Sequence, residues 1–478
     1  MIFTSFDFAL FFVVVVAVRW CLRSFTAEKW FLLIASLAFY ASWNLPCVLL
    51  ISFTALLDCT IARKLGGTTD PGQRRRLLLT SLTASLGLLA FFKYGNFFLE
   101  NLGVVLGWAG WRIGPLRYNL VLPPAISFYT FASLGYVLDV YYERIQPVSS
   151  ARDYTLFVSF FPKLLSGPIT RSGELLGQFK ERVRASAEDV EIGLSYVLIG
   201  AVQKLVIADQ ISAHVGQTFA SPKQFDSLTL LLGLMGYTVQ IYCDFAGYSA
   251  MAIGFARVLG FKLPENFQMP LSATSITDFW RRWHMTLSKW FRDFVFLPLE
   301  MATRANPIPN LRISVNILLM MLLVGLWHGP SWNYVIFGGI HGLALVIHKL
   351  WTAWDPLKPV RKRAAVKFVW TAGAHFLTLG VVLVAFAFFR APTFSAAIDY
   401  LRSLLAWQHG GTRLNSPYIL AAIAAVAGVH LLVRKDRNLA LELPQKSLPA
   451  RIAGYSILVL LLVLLGATDA SPFIYFQF

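Results

Sequence analysis

The sequence predicts an all-α polytopic membrane protein, on three observations. Of its 478 residues, 56% are hydrophobic and only 14% charged, against ~25% charged in soluble globular chains. Mean hydropathy is +0.60. Charge-free stretches near the ~20 residues that a helix needs to cross a bilayer recur along the chain. So few charges cannot cover a water-facing surface of this size. A soluble enzyme, a disordered chain and a disulfide-stapled secreted domain are excluded.

The expected spans are residues 30–57, 77–92, 118–138, 313–327, 331–348, 368–389, 416–433 and 452–468. The apolar run 8–18 reads as a retained first span, because it has neither a basic n-region nor an A-x-A cleavage site. Residues 30–57 are long enough to fold back at Asn44-Leu45-Pro46 as two spans. Lys+Arg 42 against Asp+Glu 25 gives a net charge of +17. The basic residues cluster in alternate loops: Arg19, Arg23 and Lys29; Arg63, Lys64, Arg74, Arg75 and Arg76; Arg361-Lys362-Arg363; and Arg434, Lys435 and Arg437. Such loops orient spans toward the cytoplasm. This predicts a membrane protein with its N-terminus outside, partnered by lipid and not by nucleic acid. The four cysteines have no C-x-x-C spacing and read as inert apolar-site thiols.

The middle of the chain breaks the pattern. Between Asp153 and Arg312, Lys163, Lys204, Asp209, Asp244 and Arg257 interrupt short uncharged runs, and residues 264–292 are polar. A charge at mid-membrane costs at least ~2.5 kcal/mol. Such segments are expected to be buried in protein, to line a wet cavity, or to lie as amphipathic helix on the cytoplasmic surface. Function is sought there. No internal repeat is evident.

Eight histidines are the main candidates for chemistry. His214, His409 and His430 fall at loops or span ends and read as interfacial. His348 and His375 read as buried structural residues. His341 and His348 share a helix face but lie two turns apart, too far for one metal ion. There is no H-E-x-x-H, so no metal site is expected. His284 and His328 stand apart. A helix over 278–293 would put Trp280, His284 and Ser288 on one face, with Trp283, Leu287 and Trp290 as an aromatic stripe. An interfacial helix explains the aromatics but not the histidine. His328 lies in Gly325-Leu326-Trp327-His328-Gly329-Pro330, within a stretch from 313 to 348 that contains no Asp, Glu, Lys or Arg. A titratable ring there needs a partner or a wet cavity, and the Gly-Pro step should break the helix beside it. Asp244 could orient a histidine or cap a broken helix. Ser166-Gly167-Pro168-Ile169 and Pro123-Pro124 read as helix breakers.

These residues carry a family resemblance. Pro264-Glu265-Asn266-Phe267, Asp278-Phe279-Trp280-Arg281-Arg282-Trp283-His284, Arg292-Asp293-Phe294 and Gly325-Leu326-Trp327-His328-Gly329 resemble the membrane-bound O-acyltransferases. Phe92-Lys93-Tyr94-Gly95-Asn96-Phe97, Ile126-Ser127-Phe128-Tyr129-Thr130-Phe131, residues 161–169 and Phe388-Phe389-Arg390-Ala391 support the resemblance, in order along residues 90–390. Within the family the chain looks most like the bacterial alginate O-acetylation proteins, with the D-alanyl transferases of teichoic acid synthesis as cousins. It departs from that pattern at Glu300-Met301-Ala302-Thr303-Arg304, where a Gly-Gly-x-Arg run is usual. Lys163 also replaces an uncharged polar residue.

The resemblance implies a single integral membrane domain over 1–478, with a catalytic core near 90–390 and extra C-terminal spans near 416–468. It implies about 11–14 helices, some broken or re-entrant, around a central funnel. By the same resemblance His328 matches the catalytic histidine and His284 a second functional one. The expected reaction takes acetyl from cytoplasmic acetyl-CoA, a substrate and not a resident cofactor, toward an extracytoplasmic polysaccharide or a partner acetyltransferase. A neutral imidazole suits the general base at pH 7. His284, Asn333 or free backbone N–H groups could stabilise the oxyanion. Arg281, Arg282 and Lys289, with Trp280 beside them, could hold the coenzyme; Ser288 and Asp244 would support. The alternatives are a carrier-fed D-alanyl transferase and a transporter or flippase, which should show inverted repeats.

Overall fold

The computed structural model describes residues 1–111, 117–119, 121–165, 167–305, 308–354, 364–407, 410–414, 416–433, 437–468 and 473–474. Helices follow one another as α1 (Phe6–Cys21), α2 (Phe25–Ala41), α3 (Leu45–Gly66), α4 (Pro71–Leu89), α5 (Gly95–Trp108), α6 (Ile126–Tyr141), α7 (Ala151–Ser159), α8 (Phe161–Leu164) and α9 (Ser172–Leu175). Then come α10 (Ala187–Ala201), α11 (Asp209–Ala220), α12 (Ser227–Val258), α13 (Ile276–Arg282), α14 (Met285–Phe291), α15 (Leu297–Ala302) and α16 (Pro309–His328). The chain ends with α17 (Trp332–Trp354), α18 (Ala364–Arg390), α19 (Phe394–Leu405), α20 (Pro417–Leu432), α21 (Leu439–Glu442) and α22 (Leu448–Leu465). No strand is formed among the described residues beyond one isolated bridge, Phe225 to Thr412.

Eight helical stretches are long and apolar enough to cross a bilayer: Leu45–Gly66, Pro71–Trp108, Ala187–Ala220, Ser227–Val258, Pro309–His328, Trp332–Trp354, Val366–Arg390 and Leu448–Leu465. The protein is an all-α, multi-pass integral membrane protein. α2 and α3 meet at Asn44, the N-cap of α3, with Pro46 in its first turn; the fold-back expected at 44–46 is present. The basic runs at 361–363 and 434–436 and the histidine at 409 lie outside the described residues.

One expectation is corrected. Ala187–Ala220 and Ser227–Val258 are long, apolar helical stretches, although single charges had argued against simple spans there. Three of those charges, Lys204, Asp209 and Asp244, pair with one another, as described below. In α6, which covers most of the stretch expected as a span over 118–138, every residue except Tyr141 is buried. It starts at Ile126, after Ala125 takes a left-handed conformation with φ 58° behind the Pro123-Pro124 breaker.

The described chain divides into two compact units, residues 1–197 with 248–264, and residues 198–247 with 265–478. In the first, α1 is opened by Ser5, whose hydroxyl accepts the Phe8 N–H at 3.2 Å, a standard N-cap. Phe8 packs against Phe3 and Phe255 with ring centres 4.8 and 4.9 Å away. Arg19 is buried yet satisfied: it pairs with Glu28 at 2.6 Å and donates to the carbonyls of Leu259 and Val183. Asp58, fully buried in α3, accepts hydroxyls from Ser81 and Ser133 at 2.6 and 2.5 Å. Polar groups within this unit therefore act as ties between helices.

In the second unit, residues 202–208 form a π-helical turn between α10 and α11. Lys204 sits in it, 2.7 Å from Asp209 and 2.7 Å from Asp244. All three side chains are buried. Asp244 lies inside α12 and also accepts the Ile474 N–H at 2.8 Å. Among the described residues it pairs with Lys204 and not with a histidine, and so closes an ion triad.

Candidate active site

His328 is the last residue of α16. Gly329 is fully extended, which ends the helix, and its N–H returns to Leu326 O at 3.2 Å. Pro330 cannot continue the ladder. α17 then folds back against α16 at very short range. A Cβ built on Gly325 would meet Tyr334 O at 2.2 Å, and one on Gly338 would meet Met321 O at 2.2 Å. Small residues permit this approach between membrane helices. Gly325→Ala is therefore expected to destabilise by about 1–3 kcal/mol, since a backbone carbonyl cannot step aside. Gly339→Ala meets only Leu322 at 3.6 Å and serves as the control. Thermal unfolding of both in detergent checks this; equal melting temperatures would contradict the close packing.

The hairpin places His328 among aromatic rings. Its imidazole is 2% exposed and meets Phe337 and Phe389 edge-on at 5.5 and 5.1 Å, with Trp327 at 5.1 Å. Asn333, in the first turn of α17, donates to Ala391 O at 2.8 Å and so ties α17 to the end of α18, which carries Phe389.

His284 arrives by a different route. The helix expected over 278–293 is broken: α13 stops at Arg282, and His284 takes φ 43°, ψ 54° before α14 begins. A bulky residue in this left-handed region is uncommon and costly, so its surroundings must hold it. Asn266 does so. Its carbonyl accepts the Met285 N–H at 2.9 Å, and its side-chain Oδ1 accepts from the Thr286 hydroxyl at 2.9 Å and the Thr286 N–H at 3.3 Å. The same Oδ1 lies 3.1 Å from His284 Nδ1. An oxygen that already accepts from a backbone N–H can only accept, so Nδ1 carries the ring proton. Nε2 is left with a bare lone pair and has no hydrogen-bond partner among the described residues. Burial keeps the ring neutral, its pKa pushed down to about 3.

The two histidines border the same indole. Trp327 lies 5.8 Å from His284 and 5.1 Å from His328, centre to centre. Phe245 closes the other side of His284 at 4.6 Å and is itself covered by Phe473 at 5.6 Å. Two imidazoles thus border one indole, and that of His284 keeps an unpartnered Nε2 among the described residues. Among the described residues no group of His, Cys, Asp and Glu could hold a metal ion.

The description "MBOAT, membrane-bound O-acyltransferase family" belongs to a family model that matches residues 138–379, a stretch containing both histidines. The chain belongs to the membrane-bound O-acyltransferase family. It is 32% identical over 406 residues to the peptidoglycan O-acetyltransferase of Helicobacter pylori, covering 79% of this chain and 73% of that one. It is 31% identical over 510 residues, the whole of both chains, to the "Probable alginate O-acetylase AlgI" of Pseudomonas putida. To the teichoic acid D-alanyltransferase of Bacillus subtilis it is 29% identical over 279 residues, 57% of this chain and 67% of that one.

In this membrane-bound O-acyltransferase the other expected site residues scatter. Trp280, expected beside the coenzyme, donates its Nε1–H to His341 Nδ1 at 3.3 Å. Arg282 is engaged by Asp278 at 2.8 Å, while Arg281 and Lys289 are exposed. Ser288 does not share a helix with Trp280 and His284; its hydroxyl reaches Trp283 O at 3.4 Å. Asn333 commits its amide to Ala391 O. His430, expected at an interface, is buried against Tyr242 at 4.9 Å. Sequence reasoning missed Asn266, Phe245 and His341. His341 is fully buried and meets Phe337 at 4.7 Å, the ring that also faces His328. Its place in the charge-free stretch 313–348 was the available signal.

Proposed function

We propose that this protein is an inner-membrane O-acetyltransferase that takes acetyl from cytoplasmic acetyl-CoA and passes it to a hydroxyl of an extracytoplasmic polysaccharide, directly or through a partner acetyltransferase. The observation that carries the reading is His328, buried at a broken helix end and sharing Trp327 with the neutral His284. Similarity to an O-acetyltransferase of peptidoglycan and to an alginate O-acetylase supports acetyl and glycan.

In the proposed step, His328 takes the proton of the attacking hydroxyl while its oxygen bonds to the thioester carbonyl carbon. The carbon–sulfur bond then breaks, and the imidazolium returns the proton to the departing thiolate. His284 Nε2 has no proton to give, so its fitting role is to accept a hydrogen bond and orient the hydroxyl. It is a poor oxyanion donor. The N-terminal end of α17, four residues after His328, offers the positive end of a helix dipole to the developing oxyanion. Arg281 and Lys289, both exposed, are the proposed contacts for coenzyme phosphates. The alternating basic loops support the N-terminus-out orientation.

A second reading, D-alanyl transfer from a carrier-protein thioester, rests on the likeness to the Bacillus subtilis enzyme. Radiolabelled acetyl-CoA and D-alanyl-loaded carrier, each offered to the full-length protein in nanodiscs with a polysaccharide acceptor, separate the two. Label from acetyl-CoA is expected on the glycan. Consumption of the D-alanyl thioester alone would sink the acetyl reading.

A further inference from the structure

Arg390 belongs to the run Phe388-Phe389-Arg390-Ala391 and has no part in the proposed proton transfer. It is the last residue of α18 and lies half-buried in the second unit. Its guanidinium stands over the Phe219 ring, 5.6 Å from the centroid. Among the described residues it makes no hydrogen bond and no ion pair. A cation in the last turn suits the helix dipole, but by only about 0.3–1 kcal/mol. Five N–H donors in a planar fork are thus left without an acceptor.

Its neighbours lack an acceptor in the same way. Phe219 also packs against Tyr237, with ring centres 5.7 Å apart. Tyr237 is fully buried, and its Oη has no hydrogen-bond partner among the described residues. The Arg390 guanidinium is close enough for its charge to act on the hydroxyls of both Tyr237 and Tyr334. Tyr334 in turn belongs to the wall of the candidate active site. Its ring lies 5.0 Å from Phe389, which meets His328 at 5.1 Å. The unpaired guanidinium therefore stands at the helix end that also walls the His328 imidazole.

The charge and the side of the membrane define the ligand. In sequence α18 follows the basic run at 361–363, and its 27 residues reach about 40 Å, enough to cross a bilayer. With that run inside, Arg390 lies toward the extracytoplasmic face, from which the acceptor is proposed to come. A guanidinium partly removed from water is costly without a counter-charge, and its fork matches a carboxylate at two points. Resting on the reading of the acceptor as an extracytoplasmic polysaccharide, we propose that Arg390 receives a carboxylate of that glycan, which is therefore an acidic one containing uronic-acid units. The pair holds the charged edge of the sugar and so presents a hydroxyl of the glycan to His328.

The test is direct binding of a fluorescent uronic-acid oligosaccharide to the full-length protein in nanodiscs, with its carboxyl-reduced form as the neutral control and no acyl donor present. The wild type is expected to bind the acidic form about tenfold or more tightly than the reduced one. Arg390→Gln should weaken binding of the acidic form roughly ten- to hundredfold, the loss of hydrogen bonds to a charged partner. It should leave the reduced form unaffected, which also reports an intact fold. Arg390→Lys, which keeps the charge without the fork, should fall between the two. A wild type that does not distinguish the two forms overturns the proposal. So does an Arg390→Gln protein that binds the acidic form like the wild type, the result expected if the guanidinium meets only lipid phosphate. Preference for a phosphodiester-linked glycan over the uronic-acid one overturns the carboxylate. Binding that holds while no acetyl is transferred in a separate assay would fault the acetyl reading alone. Acetyl transfer without preference for the acidic acceptor would fault this proposal alone.

Discussion

Replacing His328 with alanine is expected to slow acyl transfer by about 10²–10⁴-fold, the usual contribution of a positioned general base, with the fold retained. The ring sits at a helix end and touches Phe337, Phe389 and Trp327 by their edges. Its removal leaves a void lined by side chains that are themselves fixed by the Gly325–Gly338 crossing. Thermal unfolding and gel filtration should therefore report a folded protein. The rate of thiol release from acetyl-CoA should fall, and the pH dependence of the residual rate should lose the limb that reports deprotonation of the base. His328→Gln, which restores volume without a titrating nitrogen, should be as slow as alanine. A rate within about tenfold of wild type in both variants would remove His328 from the chemistry.

His284 is expected to respond differently, because its free atom is an acceptor and its backbone is left-handed. Here the sequence was only half legible. The residue types flagged the position, and the motif spacing placed it in a family. Helical periodicity then misled, grouping Trp280, His284 and Ser288 on one face. What breaks the helix is Asn266, 18 residues upstream, which supplies both a carbonyl and an amide oxygen to the turn. A left-handed histidine carries no mark of its own in sequence, unlike the glycine that usually occupies such a site. By contrast, the end of α16 was legible, since Gly329-Pro330 stops a helix for local reasons that no tertiary contact overrides. The fold-back at 44–46 was readable in the same way.

The charged middle was misread for another local reason. Helical side-chain pairs are sought at i+3 and i+4, and Lys204 has its partner at i+5. The π-helical turn over 202–208 widens the ladder to i+5 spacing and brings Asp209 to 2.7 Å. The second partner, Asp244, comes from α12 and lies 40 residues away in sequence. Each charge alone reads as an obstacle to a span, whereas the three together make a buried, ion-paired cluster with a single net negative charge. That excess is offset in part by the Ile474 N–H, which donates to Asp244.

Lys204→Met is therefore expected to cost about 3–5 kcal/mol, the scale for breaking a buried pair and leaving its partners uncompensated. It strands two carboxylates instead of one, so the upper part of that range applies. The triple variant Lys204→Met, Asp209→Asn, Asp244→Asn should recover most of the loss, because an uncharged core of similar volume has no desolvated charge to stabilise. The damage should also reach the site. Asp244 precedes Phe245, the ring at 4.6 Å from His284, and Asp244 anchors Ile474 beside Phe473, which covers Phe245. Lys204→Met should thus lower acyl transfer together with stability. In the triple variant, recovered stability with activity still depressed would mean that the Asp244 carboxylate positions the tail segment over Phe245. Recovery of both would reduce the triad to a structural tie. A Lys204→Met protein that melts with the wild type would show that the three charges are not closed off from water, and the reading of 187–220 and 227–258 as membrane-crossing helices with an internal ion core would fail with it.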